Sequence, residues 1–144
     1  MSSRLEGAKN QVLFVCIENS SRSVMAEGFA RAFGMEASSA GTVPSTHVNQ
    51  LVTEAMREVG IDVSKSRPKE LNGRMIEDAG LVVLTDASLE SAIPGDLRKR
   101  MRKKVVRWDL SDPQGKSMEE IRYIRDEIER MVRALAKAHS TTDP

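Results

Sequence analysis

Apolar stretches alternate along this chain with stretches in which apolar residues recur at helical spacing. Strands made only of apolar residues suit a parallel sheet covered on both faces, because neither side of such a strand meets water. Val12-Leu13-Phe14-Val15 predicts a first strand over 11–15. A helix follows from near Ser21, with Met25, Ala26, Phe29, Ala30 and Phe33 at helical spacing, and Gly34 ends it. A second strand over 36–40 breaks at Gly41, and Ser45 reads as the N-cap of a helix burying Val48, Leu51, Val52, Ala55, Met56 and Val59, closed by Gly60.

A charged connector over 61–69, with Pro68 near its end, leads into a weaker helix over 70–78 that Gly73 interrupts. Leu81-Val82-Val83-Leu84, between Gly80 and Asp86, predicts a central strand. A short helix, a fourth strand over 104–108 and a loop over 109–115 come next. Ser117 and Glu120 then form a capping box at the start of the last helix, whose inner face carries Met118, Ile121, Ile124, Ile128, Met131, Val132 and Leu135. The alternation as a whole predicts an α/β fold with helices on both faces of a parallel sheet.

A length of 144 residues with 40% hydrophobic content is that of one ordinary domain. That domain is expected over 11–138, after a flexible leader over 1–10 and before a frayed tail over 139–144. The leader lacks the apolar middle of a secretory signal, no run approaches the roughly 20 apolar residues of a membrane span, and the chain's one cysteine excludes an internal disulfide. A cytoplasmic protein is expected. With 22 Lys+Arg against 21 Asp+Glu the net charge is +1, and aromatic residues make up 3%, so neither a nucleic acid nor a membrane surface is predicted as partner. The basic run from Arg98 to Lys104 reads as the solvated end of a helix, where cations are favoured.

The chemistry gathers where the first strand gives way to Cys16-Ile17-Glu18-Asn19-Ser20-Ser21-Arg22-Ser23 and then a helix. A strand that turns directly into a helix aims backbone N–H groups and the positive end of the helix dipole at one point, and such points bind tetrahedral oxyanions. The same groups stabilise a thiolate, the nucleophilic form of cysteine. Arg22 adds a planar two-pronged donor, and Asn19 is a residue that tolerates the backbone angles of a tight cradle. Ser23, just past the arginine, is placed to donate to the sulfur. Cys16 is therefore the candidate nucleophile, and 17–23 the candidate oxyanion loop. Cysteine and histidine do not cluster, and Arg22 supplies the charge a cation would, so no metal or cofactor is implied.

The segment from Val15 to Phe29 resembles the active-site segment of the low-molecular-weight protein tyrosine phosphatases and of the arsenate reductases that share their fold. Ser39-Ala40-Gly41-Thr42, Ser66-Arg67-Pro68-Lys69-Glu70-Leu71, the strand ending at Asp86, and Asp112-Pro113 follow in the order that family shows, so the likeness covers nearly the whole chain. It implies a three-layer αβα sandwich whose four parallel strands lie in the order 2-1-3-4. It also implies a general acid in the Asp-Pro pair, here Asp112. The position of Asp112 after the last strand agrees, since it returns to the sheet edge where the first loop opens. Asp109 is the second candidate acid; Asp86 reads as a strand-end cap, and His47 as a surface residue of the second helix.

Two enzymatic branches and one binding function fit this pattern. A phosphomonoesterase acting on phosphotyrosine-like or small aryl phosphates, through a thiophosphoryl-enzyme intermediate, is the favoured reading. Arsenate reduction is the alternative. Reductases of the resembled kind resolve their arsenic adduct with two further cysteines, where this chain offers Thr85 and Ser91, and many relatives have a second loop cysteine where it has Ser21; an external thiol reductant is then required. A non-catalytic oxyanion-binding module is the third. Glu18 stands where the family commonly has glycine, and Gln114-Gly115-Lys116-Ser117 lacks the paired tyrosines that many phosphatases carry.

Overall fold

Four parallel strands form the centre of the computed structural model, which describes residues 11–141. In chain order the elements are β1 (Gln11–Cys16), α1 (Arg22–Ala32), β2 (Ala37–Gly41), α2 (Gln50–Glu58), α3 (Gly73–Asp78), β3 (Ala79–Leu84), a 3-10 turn (Glu90–Ala92), α4 (Gly95–Met101), β4 (Val105–Arg107) and α5 (Met118–Thr141). The strand order is β2-β1-β3-β4, and every neighbouring pair is parallel. This is the order that the resemblance implied.

Alternation along β1 explains why its run is apolar throughout. Val12 and Phe14 face the layer containing α1, α2 and α5, where Phe14 meets Trp108 with ring centroids 5.9 Å apart. Leu13 and Val15 face the layer containing α3 and α4, with Ile76, Leu89, Ile93 and Met101. Both sets are fully buried. On α5, Ile121, Ile124, Ile128 and Val132 are buried in the first layer, and the capping box forms as expected, with Glu120 N–H donating to Ser117 Oγ at 3.2 Å and Ser117 N–H to Glu120 Oε1 at 3.1 Å.

Several expected boundaries shift, each for a local reason. The second helix starts at Gln50, because the Asn49 side chain accepts from the N–H groups of Leu51 and Val52. Ser45 instead donates to His47 O at 2.9 Å within the preceding loop. Leu51 and Val59, expected inside, are 36% and 40% exposed, because the shortened helix turns Val52, Ala55 and Met56 inward. The weaker helix begins at Gly73 under an Asn72 cap, since Glu70 lies alongside the end of β2, with Gly41 N–H donating to Lys69 O and Leu71 N–H donating to Gly41 O. β4 is shorter than 104–108, and Lys104 turns its ammonium onto Ile76 O and Ala79 O at the end of α3. The last helix continues through Thr141, past the expected limit at 138; the leader over 1–10 and the end of the tail over 142–144 lie outside the described residues. Among the described residues no helix is long and apolar enough to cross a membrane.

Candidate active site

Because all four strands run the same way, the segments following β1, β2, β3 and β4 emerge at one edge of the sheet. The segment after β1 turns immediately into α1, and its carbonyl groups are pulled outward. Thr42, Val43, Ser45 and Asn49 donate backbone N–H groups to the carbonyls of Cys16, Ile17, Glu18 and Ser20, at 2.8–3.2 Å. With those carbonyls engaged by the 42–49 segment, the loop is left to present N–H groups at its centre, and Asn19 N–H lies 3.2 Å from Cys16 Sγ. Ser21, the N-cap of α1, makes no side-chain cap bond, and the first turn carries no acidic residue. The positive end of the helix dipole therefore faces the loop uncompensated.

Asn19 holds the loop from inside. It is fully buried and has a φ of 53°, in the left-handed region that asparagine tolerates better than most residues. Its Nδ2 donates to Ser23 Oγ at 2.8 Å and to Ser39 Oγ at 3.0 Å, while its Oδ1 accepts from Lys69 N–H at 3.0 Å. Gly41, at the end of β2, lies so close that a methyl group there would sit 2.6 Å from Ile17 O and 2.9 Å from Asn19 N. Glycine is required by that approach rather than by its φ.

The hydrogen bonds behind the loop form one buried network. Buried Glu27 is a carboxylate ion-paired to Arg31 at 2.7 Å, so the Ser39 hydroxyl donates to it. Ser39 Oγ then accepts from Asn19, whose other amide hydrogen goes to Ser23 Oγ. Ser23 Oγ, which accepts from Asn19, lies 2.8 Å from Cys16 Sγ, a contact through which its hydroxyl proton can be given to the sulfur. A buried network thus joins Glu27, Ser39, Asn19 and Ser23 to the sulfur, with Asn19 Nδ2 donating both ways, to Ser39 and to Ser23. Ser39 and Glu27 are the members that reading the sequence missed; Ser39 lies within a segment carrying the family likeness, but nothing in its pattern marks a polar link.

Arg22 is 3% exposed at the start of α1. Its Nη1 donates to Asp86 Oδ2 at 2.9 Å and to Leu110 O at 3.1 Å, and its buried Nε has no partner. Burial pushes the Asp86 carboxyl up, but the Ser88 N–H and hydroxyl and the Arg22 guanidinium outweigh it and hold Asp86 below its ordinary value. Asp86 is therefore more than the strand-end cap that the sequence suggested, since it also anchors the arginine. Asp112 enters from the loop after β4, with its Oδ1 4.0 Å from Arg22 Nη2 and bonded to Gln114 N–H at 3.0 Å. Asp109, the second candidate acid, is exposed and does not line the cleft.

These groups surround an open cleft of about 390 Å³ with Cys16, Ile17, Glu18, Ser20, Ser21 and Arg22 among its lining residues, and Asp112 at its side. Asn19 and Ser23 lie behind that lining. His47 borders the cleft from the loop, three residues before the start of α2 at Gln50, where the sequence had put it on the helix. A model of the low molecular weight phosphotyrosine protein phosphatase family matches residues 11–142.

The chain belongs to that family. Its relatives divide by activity. An arsenate reductase of Staphylococcus aureus is 37% identical over 127 residues, covering 83% of this chain and 91% of the relative. Among solved structures, YwlE arginine phosphatase from Geobacillus stearothermophilus superposes with a TM-score of 0.84 at 25% identity, covering 92% of this chain and 94% of that one. A low molecular weight protein tyrosine phosphatase from T. tengcongensis gives a TM-score of 0.81 at 27% identity, over 90% and 99% of the two chains. Phosphatases and arsenate reductases of this family share one architecture, so family membership supports an enzyme without choosing between them. The positions where the sequence had noted missing resolving cysteines are engaged otherwise: Thr85 Oγ1 donates to Val15 O at 2.9 Å, and Ser91 Oγ to Ser88 O at 3.2 Å.

Proposed function

We propose that the chain is a cysteine-dependent phosphatase that hydrolyses phosphomonoesters, with aryl phosphates such as phosphotyrosine among its substrates. The observation that carries this reading is the buried hydrogen-bond network that ends on Cys16 Sγ, beside an arginine whose buried Nε lacks an acceptor. Cys16 attacks phosphorus in line; the S–P bond forms as the ester P–O bond breaks, and Asp112 gives the departing oxygen its proton. Loop N–H groups and Arg22 hold the three equatorial oxygens through the transition state. Water then attacks phosphorus, Asp112 takes its proton back, and the sulfur leaves as a thiolate stabilised by Ser23. No metal is required for any of these steps, and the cytoplasm is the expected site of action.

Arsenate reduction is a second reading, favoured by the identity to the Staphylococcus aureus enzyme. With one sulfur in this chain, the adduct of Cys16 with arsenate has to be resolved by external thiols, which end as a disulfide while As(V) becomes As(III). The test is a paired assay of aryl phosphate hydrolysis and thiol-dependent arsenate reduction. The phosphatase reading expects turnover in the first arm, a loss of about 10³-fold or more in Cys16→Ser, and a loss of about 10²-fold or more in Asp112→Asn that shrinks for good leaving groups. Turnover confined to the arsenate arm, or full activity in Cys16→Ser, would overturn it.

A further inference from the structure

The oxyanion loop accounts for the floor of the cleft and leaves its rim unexplained. Two carboxylates stand there, Glu18 and Asp112, while the lining includes no lysine, no arginine besides Arg22, and no phenyl, phenol or indole ring. Asp112 has the proton-transfer role above. Glu18 has none. It lies half-buried on the loop, its nearest polar contact is the Ser20 hydroxyl at 3.5 Å, and it makes no ion pair among the described residues. Arg22 does not neutralise it, being committed to Asp86 at 2.9 Å. An isolated carboxylate beside an anion site works against an anionic ligand, unless the ligand brings its own positive charge to that place. A phenyl ester brings none, and the one ring in the lining is the imidazole of His47, whose Nδ1 is bonded to Thr46 Oγ1 at 2.9 Å.

We propose that Glu18 is a specificity-determining residue that makes the cleft prefer a phosphoryl group carried on a cationic nitrogen, the substrate class being the N-phosphorylated guanidinium of an arginine side chain. The inference rests on the phosphatase reading and narrows its substrate. The phosphoryl oxygens lie on the loop, with the unpartnered Arg22 Nε as one donor, and the remaining guanidinium N–H groups face Glu18, whose planar carboxylate accepts a two-pronged donor. The S–P bond to Cys16 forms as the P–N bond breaks, and the departing nitrogen takes the Asp112 proton, which restores the guanidinium. Water attacks phosphorus, returns a proton to Asp112 and releases phosphate and the thiolate.

The test compares two peptides identical except for the phosphorylated residue, phosphoarginine in one and phosphotyrosine in the other, with a small aryl phosphate as reference. The wild-type chain is expected to have the higher kcat/KM on phosphoarginine. Glu18→Gln should lower the ratio of the two kcat/KM values by about 5-fold, mainly through KM, and Glu18→Lys should invert it. A wild-type preference for phosphotyrosine, or a ratio that Glu18→Gln leaves in place while aryl phosphate is still hydrolysed, overturns this inference alone. Failure of all three substrates overturns the phosphatase reading along with it.

Discussion

Asn19 shows how much of the site depends on one side chain that never touches the substrate. It occupies a left-handed backbone position and bonds at once to Ser23, Ser39 and the backbone of Lys69. Removing it strands buried partners, each loss costing about 1–3 kcal/mol. Asn19→Ala is therefore expected to lower kcat more than it changes KM, because binding by the loop N–H groups persists while the orientation of Ser23 is lost. Asn19→Gly separates the causes, keeping the backbone freedom and losing the same bonds. Steady-state kinetics on an aryl phosphate check this, and Asn19→Gly retaining wild-type kcat would refute the role assigned to the amide. Sequence alone placed Asn19 as a shaper of the cradle, from residue type and position. It left out Glu27 and Ser39, because a buried carboxylate on a helix and a serine on a strand acquire their roles only when β2 is laid beside β1.

At the scale of elements, the end of β2 is the rear wall of the oxyanion loop. The register that pairs Cys16 with Gly41 brings two backbones together with no room for a β-carbon. Gly41→Ala would have to push Ile17 and Asn19 outward, and displacements of that kind cost about 10–100-fold in turnover. The expected result is a folded protein with depressed kcat/KM, measured by circular dichroism together with kinetics; wild-type kinetics would contradict the contact. The glycine was visible in the sequence as the break of a strand, whereas its closeness to the loop was not, because that depends on a contact between segments distant in the chain. Strands β1 and β3 were legible from uninterrupted apolar runs, and α5 from its capping box and stripe. The start of α2 was misplaced because two residues able to cap, Ser45 and Asn49, stand four apart, and the contacts of the 42–49 segment with the loop decide between them.

For the whole molecule, acid stability should follow two carboxylates that tie separate elements together. Glu58 at the end of α2 receives Arg122 and Arg125 of α5; these hydrogen bonds, Arg122 first, lower it to about 2 from its ordinary 4.5. Asp86 is likewise lowered, with its ties to Ser88 and Arg22 overcoming the effect of burial. A carboxyl that holds its proton less tightly when folded than when unfolded contributes stability above its unfolded value, and that contribution is lost as the pH falls through its folded value. The urea midpoint is therefore expected to drop as the pH goes from 4.5 towards about 2, and Glu58→Gln should flatten that drop while lowering the midpoint at neutral pH. An unchanged slope would show that the two arginines do not hold α2 to α5.

All of the proposed chemistry passes through one covalent bond. The most direct measurement is rapid acid quenching during turnover of an aryl phosphate, followed by mass analysis of the peptide carrying Cys16. The account predicts one phosphoryl group on that sulfur, with more of it in Asp112→Asn when the leaving group is a good one, because the variant then slows hydrolysis of the intermediate more than its formation. Turnover with no phosphoryl group on Cys16 at any quench time, or with one on a different residue, would contradict it.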